Sequence, residues 1–320
     1  MLRKIVIIDF DSEQVVITEN NALVKVEPSV IIRKKSETPL PVYHGKEALI
    51  HRFDIDETEV LSAPFANGKI IDIIGAKAFF KSVLKDLYGS NRFIDIYVIV
   101  SGNLNDEEKS IIERTFISIG YSKVNLISRP KIINKLLEYN DLPIGVYSDA
   151  DITELVLQTN PSRSYTINVS RSALAEELRA KFLTDSKIKI SIDMSVSIAK
   201  KYCSLFPSDM TKVIASGNDT ITSIKKSVFL NARDLYPIVE KIYSKTTDLI
   251  AAVIMDSNAN LSNKIVDSGI LFIGSGIKIS GYEEFIYEKL HLKSIMCHDN
   301  SILLSLAYNL ILDDAEYLFD

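Results

Sequence analysis

Two short acidic segments stand where predicted β-hairpins turn. Each segment carries three carboxylates: Asp9, Asp11 and Glu13 in the first, and Asp149, Asp151 and Glu154 in the second. Clustered carboxylates suit a hard cation such as Mg²⁺ or Ca²⁺. The alternative is a pair of solvated hairpin tips, because Asp and Ser are common turn residues. We favour solvated tips, since turn propensity alone explains these residues, and we predict no metal site.

No other chemistry can be assembled from residue types and spacing. The four histidines, His44, His51, His291 and His298, are scattered, and Cys203 and Cys297 lie far apart. Two small turns, Ser101-Gly102 and Gly274-Ser275-Gly276, lack the flanking residues of a nucleophile elbow. We therefore interpret both as strand-to-helix turns.

Composition narrows the class of protein. The chain has 320 residues, of which 47% are hydrophobic, so it can build a sizeable core in one large or two medium domains. A net charge of −5 and dispersed basic residues give no indication of a nucleic-acid partner. Two distant cysteines fit a reducing compartment, and no apolar run approaches the roughly 18 residues of a membrane span. We expect a cytoplasmic protein.

The elements that position the acidic turns recur in two halves. The first half is predicted to contain strands Ile5–Phe10, Val15–Thr18 and Ser29–Arg33, helix Ile71–Leu87, strand Ile94–Ser101, a helix opened by an Asn105/Glu108 capping box, and strand Val124–Ser128. The second is predicted to contain strands Ile144–Tyr147, Ile152–Gln158 and Ser164–Val169, a helix to Phe182, a helix capped by Asp193 or Ser195 and ending at Leu205, and strand Gly269–Ile273. The repeated order predicts a duplicated α/β fold with a cleft between the halves.

Short motifs in collinear order give the chain a family resemblance. They are Ile7–Ser12, Val26–Val30, Gly45–Ala48, Pro64–Asp72, Tyr97–Gly102, the Glu107–Gly120 helix, Thr153-Glu154 and Ser268–Gly281. Their order resembles that of the MreB family of bacterial actin-like proteins. The resemblance implies two RNase H-like domains with inserted subdomains. We place the first at residues 1–142, with an insertion at about 32–68 and completed by about 299–320, and the second at 143–298, with an insertion at about 180–230.

The resemblance also implies a nucleotide site, whose positions here are vestigial. They are Asp9, Asp11, Ser12, Asp149, Asp151, Thr153, Lys200, Gly274, Ser275 and Gly276. The family's phosphate turns use glycine so that backbone N–H groups can approach the phosphates. Carboxylates at these turns would repel a phosphate by about 4 kcal/mol per pair of charges about 4 Å apart. Only Gly274-Ser275-Gly276 keeps its glycines.

The position of the family's catalytic glutamate also departs from the pattern. Its Glu-Pro aligns with Arg129-Pro130, and an arginine stays protonated and cannot orient water as a carboxylate does. We weigh two roles for Arg129: filling the cleft by pairing with the acidic cluster, or lying solvated at a strand end. The resemblance implies that ATP hydrolysis is lost and that ATP and magnesium are disfavoured.

Three functional hypotheses follow. The first is a non-catalytic cytoskeletal or scaffold protein that joins itself or an MreB-type filament, with cell-shape machinery at the membrane as a further partner. The second is an active MreB-type ATPase, and the third is a small-molecule kinase of the same fold. Membrane association in the resembled family uses an amphipathic N-terminus or an exposed loop. The matching loop here is Tyr88–Phe93, which we interpret as a plain turn.

Overall fold

A computed structural model describes residues 4–89, 93–299 and 301–316 of the chain. The chain forms two compact units, one from Met1–Leu136 with Ser301–Asp320 and the other from Leu137–Asn300. The domain and insertion limits given above stay predictions. Residues 90–92 of the loop Tyr88–Phe93, and residues 317–320 of the predicted C-terminal segment, lie outside the described residues.

The first unit is built on a five-stranded sheet. Its strands are β1 Lys4–Phe10, β2 Gln14–Glu19, β3 Ala22–Pro28, β4 Ile31–Lys34, β5 Pro41–His44, β6 Glu59–Ser62, β7 Phe65–Ala66, β8 Lys69–Ile70, β9 Ile94–Val100 and β10 Val124–Ser128. Its helices are α1 Gly45–Ile50, α2 Ile73–Tyr88, α3 Asp106–Ser118 and α4 Arg129–Asn140. The main sheet has the order β10-β9-β1-β2-β3, with β1 antiparallel to β2 and parallel to β9.

The second unit repeats this arrangement. Its strands are β11 Ile144–Ser148, β12 Thr153–Leu157, β13 Arg163–Ile167, β14 Ile188–Ile190, β15 Lys212–Asp219, β16 Lys225–Asn231, β17 Ile270–Ile273 and β18 Ser294–Cys297. Its helices are α5 Arg171–Asp185, α6 Ile192–Lys201, α7 Tyr236–Met255, α8 Ala259–Ser268 and α9 Tyr282–Leu290, and α10 Ser301–Glu316 belongs to the first unit. The sheet order β18-β17-β11-β12-β13 has the same strand directions as the first sheet.

Each unit has its own apolar core. Alternate residues of β1, such as Val6 and Ile8, are fully buried against α2 and α3 residues such as Phe80 and Phe116. In the second unit the fully buried strand β17 packs in a core with α7 residues such as Ile242. The duplicated sheet therefore places two equivalent hairpin turns, one after β1 and one after β11, at the ends of buried strands.

The third strand of the first sheet was predicted wrongly. Ser29–Arg33 was expected there, but Ala22–Pro28 pairs with β2, and Ile31–Lys34 joins a separate sheet of order β5-β4-β6. The turn between β2 and β3 consists of Asn20 and Asn21, whose φ angles are 47° and 67°. Two residues with positive φ form the tight hairpin turn that asparagine tolerates, so the chain reverses earlier than expected.

The second unit also carries a small three-stranded sheet, of order β14-β15-β16. The helix between β14 and β15 differs from the prediction. Its cap is Ser191, whose Oγ accepts a hydrogen bond from the Met194 N–H at 3.1 Å, and the helix ends at Lys201 rather than Leu205. Ser195 does not cap because it lies inside the first turns, where its hydroxyl donates to the Ile192 carbonyl.

Helix α3 begins as predicted. The Asn105 Oδ1 accepts from the Glu108 N–H at 2.9 Å, and the Glu108 carboxylate accepts from the Asn105 N–H at 2.9 Å. This reciprocal pair satisfies two N–H groups that the first turn leaves without helical partners. None of the helices in the described ranges combines the length and apolar character needed to cross a membrane.

Candidate functional site

The turn after β1 is closed by the side chain of Asp11. Its Oδ1 accepts hydrogen bonds from the N–H groups of Glu13 and Gln14, at 2.7 and 2.8 Å. The Asp11 N–H donates to the Gln14 carbonyl at 3.0 Å, and the Ser29 hydroxyl donates to the Asp11 carbonyl at 2.7 Å. The turn's backbone donors therefore point at a carboxylate that belongs to the chain itself. Ser12, next in the turn, is half-buried.

The turn after β11 has the same geometry. The Asp149 Oδ1 accepts from the N–H groups of Asp151 and Ile152, at 2.7 and 2.9 Å. The Asp149 N–H donates to the Ile152 carbonyl at 3.1 Å. Asp11 and Asp149 thus occupy equivalent positions in the duplicated fold, and each bonds the N–H groups two and three residues further on. This equivalence makes the aspartate turn a repeated feature of the fold.

The expectation of solvated hairpin tips is wrong. The exposed fraction is 7% for Asp11 and 1% for both Asp149 and Asp151, while Glu154 is fully buried. Turn propensity explains why aspartate is found at positions 11 and 149, but it does not explain why these side chains are buried. Buried carboxylates are stable only when hydrogen bonds replace their hydration. The N–H groups of the turns supply such bonds to Asp11 and Asp149, and the hydroxyls of Ser172 and Thr166 supply them to Asp151 and Glu154.

Arg129 reaches the first acidic cluster. Its Nη2 lies 2.8 Å from the Asp9 Oδ1, and the exposed fractions of the two side chains are 2% and 14%. Asp9 is the penultimate residue of strand β1, and Arg129 follows strand β10 directly. Both strands are parallel to β9 in one sheet. The carboxyl ends of parallel strands meet at one edge of the sheet, which brings the two residues together. The alternative of a solvated Arg129 is therefore wrong, and a cation of the chain itself neutralises Asp9.

The loop Gly274–Gly276 packs directly on the second turn. A Cβ at Gly274 would lie 2.1 Å from the Ser148 carbonyl oxygen, and a Cβ at Gly276 would lie 2.1 Å from the Ser148 Oγ. Gly274 also has a φ of +115°, which side chains rarely adopt. Close packing thus explains both glycines without a ligand.

Arg171, at the start of α5, contacts the same loop. Its guanidinium donates to the Ser275 carbonyl through Nη1 and to the Ser275 Oγ through Nη2 at 3.1 Å. The sequence analysis missed this residue, because the two positions lie 104 residues apart and no local pattern connects them. The neighbouring Ser172 donates to the Asp151 Oδ1 at 3.2 Å and joins the helix start to the acidic turn.

The remaining predicted site residues are Thr153 and Lys200. The Thr153 hydroxyl is buried and contacts the Ser148 Oγ at 2.9 Å and the Val169 carbonyl at 2.7 Å, so it belongs to the second turn. Lys200 lies in the last turn of α6 and is exposed. In the described ranges, no three side chains of His, Cys, Asp or Glu are arranged to hold a metal ion.

At these turns, charged side chains of the chain itself make the interactions that a bound anion or cation could make. Each aspartate presents one carboxylate oxygen to two backbone N–H groups, the same kind of interaction that such donors make with a phosphate oxygen. Arg129 presents a permanent positive charge to Asp9. The arginine at position 129 cannot take a proton from water, because its guanidinium is already protonated.

Comparisons with known proteins agree with this fold. Residues 163–313 match the family model described as MreB/Mbl protein. Over 322 aligned residues the chain is 19% identical to the cell shape-determining protein Mbl of Bacillus subtilis (strain 168), covering 97% of this chain and 96% of Mbl.

Solved structures extend the likeness over the whole chain. MreB5 of Spiroplasma citri bound to AMPPNP superposes with a TM-score of 0.85 and 16% identity, covering 100% of this chain and 98% of MreB5. The MamK double helical filament gives a TM-score of 0.77 and 14% identity, covering 94% of this chain and 97% of MamK. The fold is therefore that of the actin-like proteins, as the sequence predicted. The Mbl alignment and the match at residues 163–313 make the chain similar to the MreB/Mbl proteins.

Proposed function

We propose that this protein is a non-catalytic, filament-forming scaffold of the MreB type, which neither hydrolyses ATP nor binds it tightly with magnesium. The observation that carries the proposal is the pair of equivalent aspartates. The Asp11 and Asp149 carboxylates occupy the backbone N–H groups of the two turns that the family resemblance assigns to phosphates. A phosphate would have to displace a carboxylate that already satisfies the same donors.

The charge balance of the turns supports the same conclusion. A carboxylate about 4 Å from a phosphate oxygen opposes binding by about 4 kcal/mol at an effective dielectric constant of about 20. The Arg129–Asp9 pair adds a second obstacle, because breaking a buried ion pair leaves an uncompensated charge. Catalysis has a further requirement that Arg129 cannot meet, namely a group that orients the attacking water.

Self-association and a role in cell shape are supported by the relatives. MamK of the same fold forms a double helical filament, and Mbl is a cell shape-determining protein. Head-to-tail contacts that do not close into a ring generate open filaments. We infer that this chain assembles with itself or with an MreB-type filament, and that the assembly contributes to cell-shape machinery at the membrane.

Sedimentation and negative-stain electron microscopy of the purified protein test this proposal. Assembly should appear at the same protein concentration with and without ATP and magnesium, and no phosphate should be released. Protein that stays monomeric at high concentration, with no pelleting on addition of an MreB-type filament, would contradict the scaffold role. Assembly that requires ATP would contradict the nucleotide-independent part.

The second candidate is an active MreB-type ATPase. Two observations favour it: MreB5 of Spiroplasma citri is bound to AMPPNP in one structure and to ADP in another, and this chain keeps Asp9 and the glycines of Gly274–Gly276. The local packing against Ser148 weakens the second argument, because it requires these glycines for another reason. Phosphate release that disappears in Asp9→Asn would decide for this candidate.

A further inference from the structure

The small sheet of the second unit, of order β14-β15-β16, has one exposed face. Ile214 of β15 pairs with Phe229 of β16, and the two side chains are 52% and 75% exposed. Directly paired residues share a face of a sheet, so these side chains form one apolar patch. Val213 and Ala215, which alternate with Ile214 along β15, are buried on the opposite face. The apolar patch therefore lies on the side of the sheet that the core of the unit does not cover.

Lysines flank the apolar patch at both ends. Lys212 lies two residues before Ile214 and on the same face. At the other end, Lys189 and Lys225 both pair with Asn218, so the three strands bring two lysines into one row. Lys212 and Asn218 are separated by about 20 Å along β15, at about 3.3 Å per residue. We call this surface the basic sheet face, and its defining residues are Lys189, Lys212, Ile214, Lys225 and Phe229.

The charge of the basic sheet face is not neutralised. Among the described residues, Lys189, Lys212 and Lys225 have no ion-pair partner, whereas the neighbouring Lys226 lies 3.7 Å from Asp219. Residues 186–231 contain seven lysines and three aspartates, a net charge of +4, while the whole chain carries −5. Interfaces bring together surfaces of opposite potential. The basic sheet face therefore fits a partner that carries apolar side chains between carboxylates.

The chain itself contains a segment of this chemistry. Residues 313–320 read Asp-Asp-Ala-Glu-Tyr-Leu-Phe-Asp, a net charge of −4 with a run of three large apolar residues between the carboxylates. Helix α10 ends at Glu316, and Leu312 and Asp313 near its end are exposed. An extended chain from Glu316 to Asp320 spans up to about 14 Å. Flexible lysine side chains at both ends of the face can close the remaining distance.

We propose that the basic sheet face binds residues 313–320 of a second copy of the chain. The apolar run 317–319 covers the patch of Ile214 and Phe229, and the carboxylates on either side pair with the lysines at the two ends of the face. The inference rests on the proposed self-association, for which it names two contacting surfaces. Ion pairs at the rim of a contact orient the partners more than they bind them, so the apolar contact supplies most of the affinity.

Fluorescence anisotropy of a labelled peptide tests the proposal. The peptide carries residues 309–320 and is titrated with the full-length protein, below the concentration at which that protein pellets. We expect saturable binding that weakens as salt is added, because the ion pairs are exposed. A peptide with serine at positions 317–319 should bind about tenfold more weakly or less. Absence of saturable binding of the unaltered peptide would overturn the proposal, as would equal binding of the two peptides.

Variants of the basic sheet face separate the charged and the apolar contributions. Lys189→Gln/Lys212→Gln/Lys225→Gln should raise the dissociation constant of the peptide by about tenfold, because three exposed ion pairs are lost. The same variant should bind with a weaker dependence on salt. Phe229→Ser should also raise the dissociation constant by about tenfold, with the salt dependence of the wild-type protein.

Matched controls replace exposed side chains elsewhere in the chain. Lys81, Lys85 and Lys245 are exposed lysines, and Phe93 is 74% exposed, close to the 75% of Phe229. Lys81→Gln/Lys85→Gln/Lys245→Gln and Phe93→Ser should bind the peptide as the wild-type protein does. Face variants and control variants that bind the peptide equally well would overturn the proposal.

Sedimentation of the full-length protein separates the docking contact from the scaffold role. Protein that pellets while the peptide fails to bind would overturn the docking contact and leave the scaffold role in place. Protein that binds the peptide but never pellets would support the docking contact and contradict the scaffold role alone. If the three lysines instead bind a labelled single-stranded oligonucleotide more tightly than the peptide, the occupant is a nucleic acid and the docking contact is overturned.

Discussion

Replacing the turn aspartates should convert the two turns into phosphate-binding loops. In the variant Asp11→Gly/Asp149→Gly, four backbone N–H groups lose their acceptors: those of Glu13 and Gln14 in the first turn, and of Asp151 and Ile152 in the second. Two negative charges leave the same positions. Both changes favour a nucleotide, so we expect the variant to bind ATP with magnesium more tightly than the wild-type protein.

The magnitude follows from the removed repulsion. One carboxylate–phosphate pair is unfavourable by about 4 kcal/mol at about 4 Å. If solvent and ions screen half of a single pair, about 2 kcal/mol remains, which corresponds to roughly a 30-fold rise in affinity. The variant also loses hydrogen bonds to a charged acceptor, each contributing about 1.5–3 kcal/mol to stability. We therefore expect a less stable apo protein that ATP restabilises.

A thermal-shift titration with ATP and magnesium, followed by calorimetry, measures both effects. Asp11→Asn/Asp149→Asn separates occupancy from charge, since an amide oxygen can still accept the turn's hydrogen bonds but carries no charge. We expect its affinity to lie between those of the wild-type protein and the glycine variant. Asp219 makes the same pair of turn hydrogen bonds elsewhere in the second unit, so Asp219→Gly should leave nucleotide affinity unchanged. A folded glycine variant with wild-type affinity would refute the reasoning.

Three further predictions concern stability. Gly276→Ala should lower the free energy of unfolding by about 2 kcal/mol. Ser148→Ala should restore part of that loss, because it removes the Ser148 Oγ, the atom nearest to the added Cβ. If Gly276→Ala costs the same in the wild-type and Ser148→Ala backgrounds, this packing is contradicted. Arg129→Met should lower the free energy of unfolding, measured with denaturant, by about 3 kcal/mol, because the Asp9 carboxylate loses its partner. Adding Asp9→Asn should recover part of that loss. Losses that simply add in the double variant would contradict the pairing. Burial tends to raise the pKa of Asp72, but hydrogen bonds from Gly75, Ser62 and Arg33 outweigh it and lower the pKa. The stability that Asp72 contributes is therefore fully present above its unfolded-state pKa and is lost as pH falls through its folded-state pKa. Asp72→Asn should make the free energy of unfolding depend less steeply on pH in the acid range. An unchanged dependence on pH would contradict this.

The sequence was most informative where local pattern decides the structure. The capping box at Asn105, the hairpins after β1 and β11, and the duplicated element order were predictable because turn residues and apolar periodicity act over short distances. Ser29–Arg33 was predicted as the third strand in place of Ala22–Pro28 because Asn20-Asn21, a local pattern that does predict a tight turn, was overlooked.

The chemistry of the site was harder to predict because it depends on tertiary packing. Turn propensity correctly placed Asp11 and Asp149 in turns, yet nothing in their neighbours in sequence specifies that both are buried. The contact between Arg129 and Asp9 could be anticipated, because the ends of parallel strands share an edge of a sheet. The contact between Arg171 and Ser275 could not, because it joins a helix start to a distant loop.

Calorimetric titration of the wild-type protein with ATP and magnesium tests the central claim most directly. Because the Asp11 and Asp149 carboxylates occupy the turn donors, we expect no saturable heat up to millimolar ATP and no shift in melting temperature. A dissociation constant in the micromolar range, together with phosphate release that Asp9→Asn abolishes, would contradict the account. That result would mean that a nucleotide displaces both carboxylates and that the turns are not filled by the chain itself.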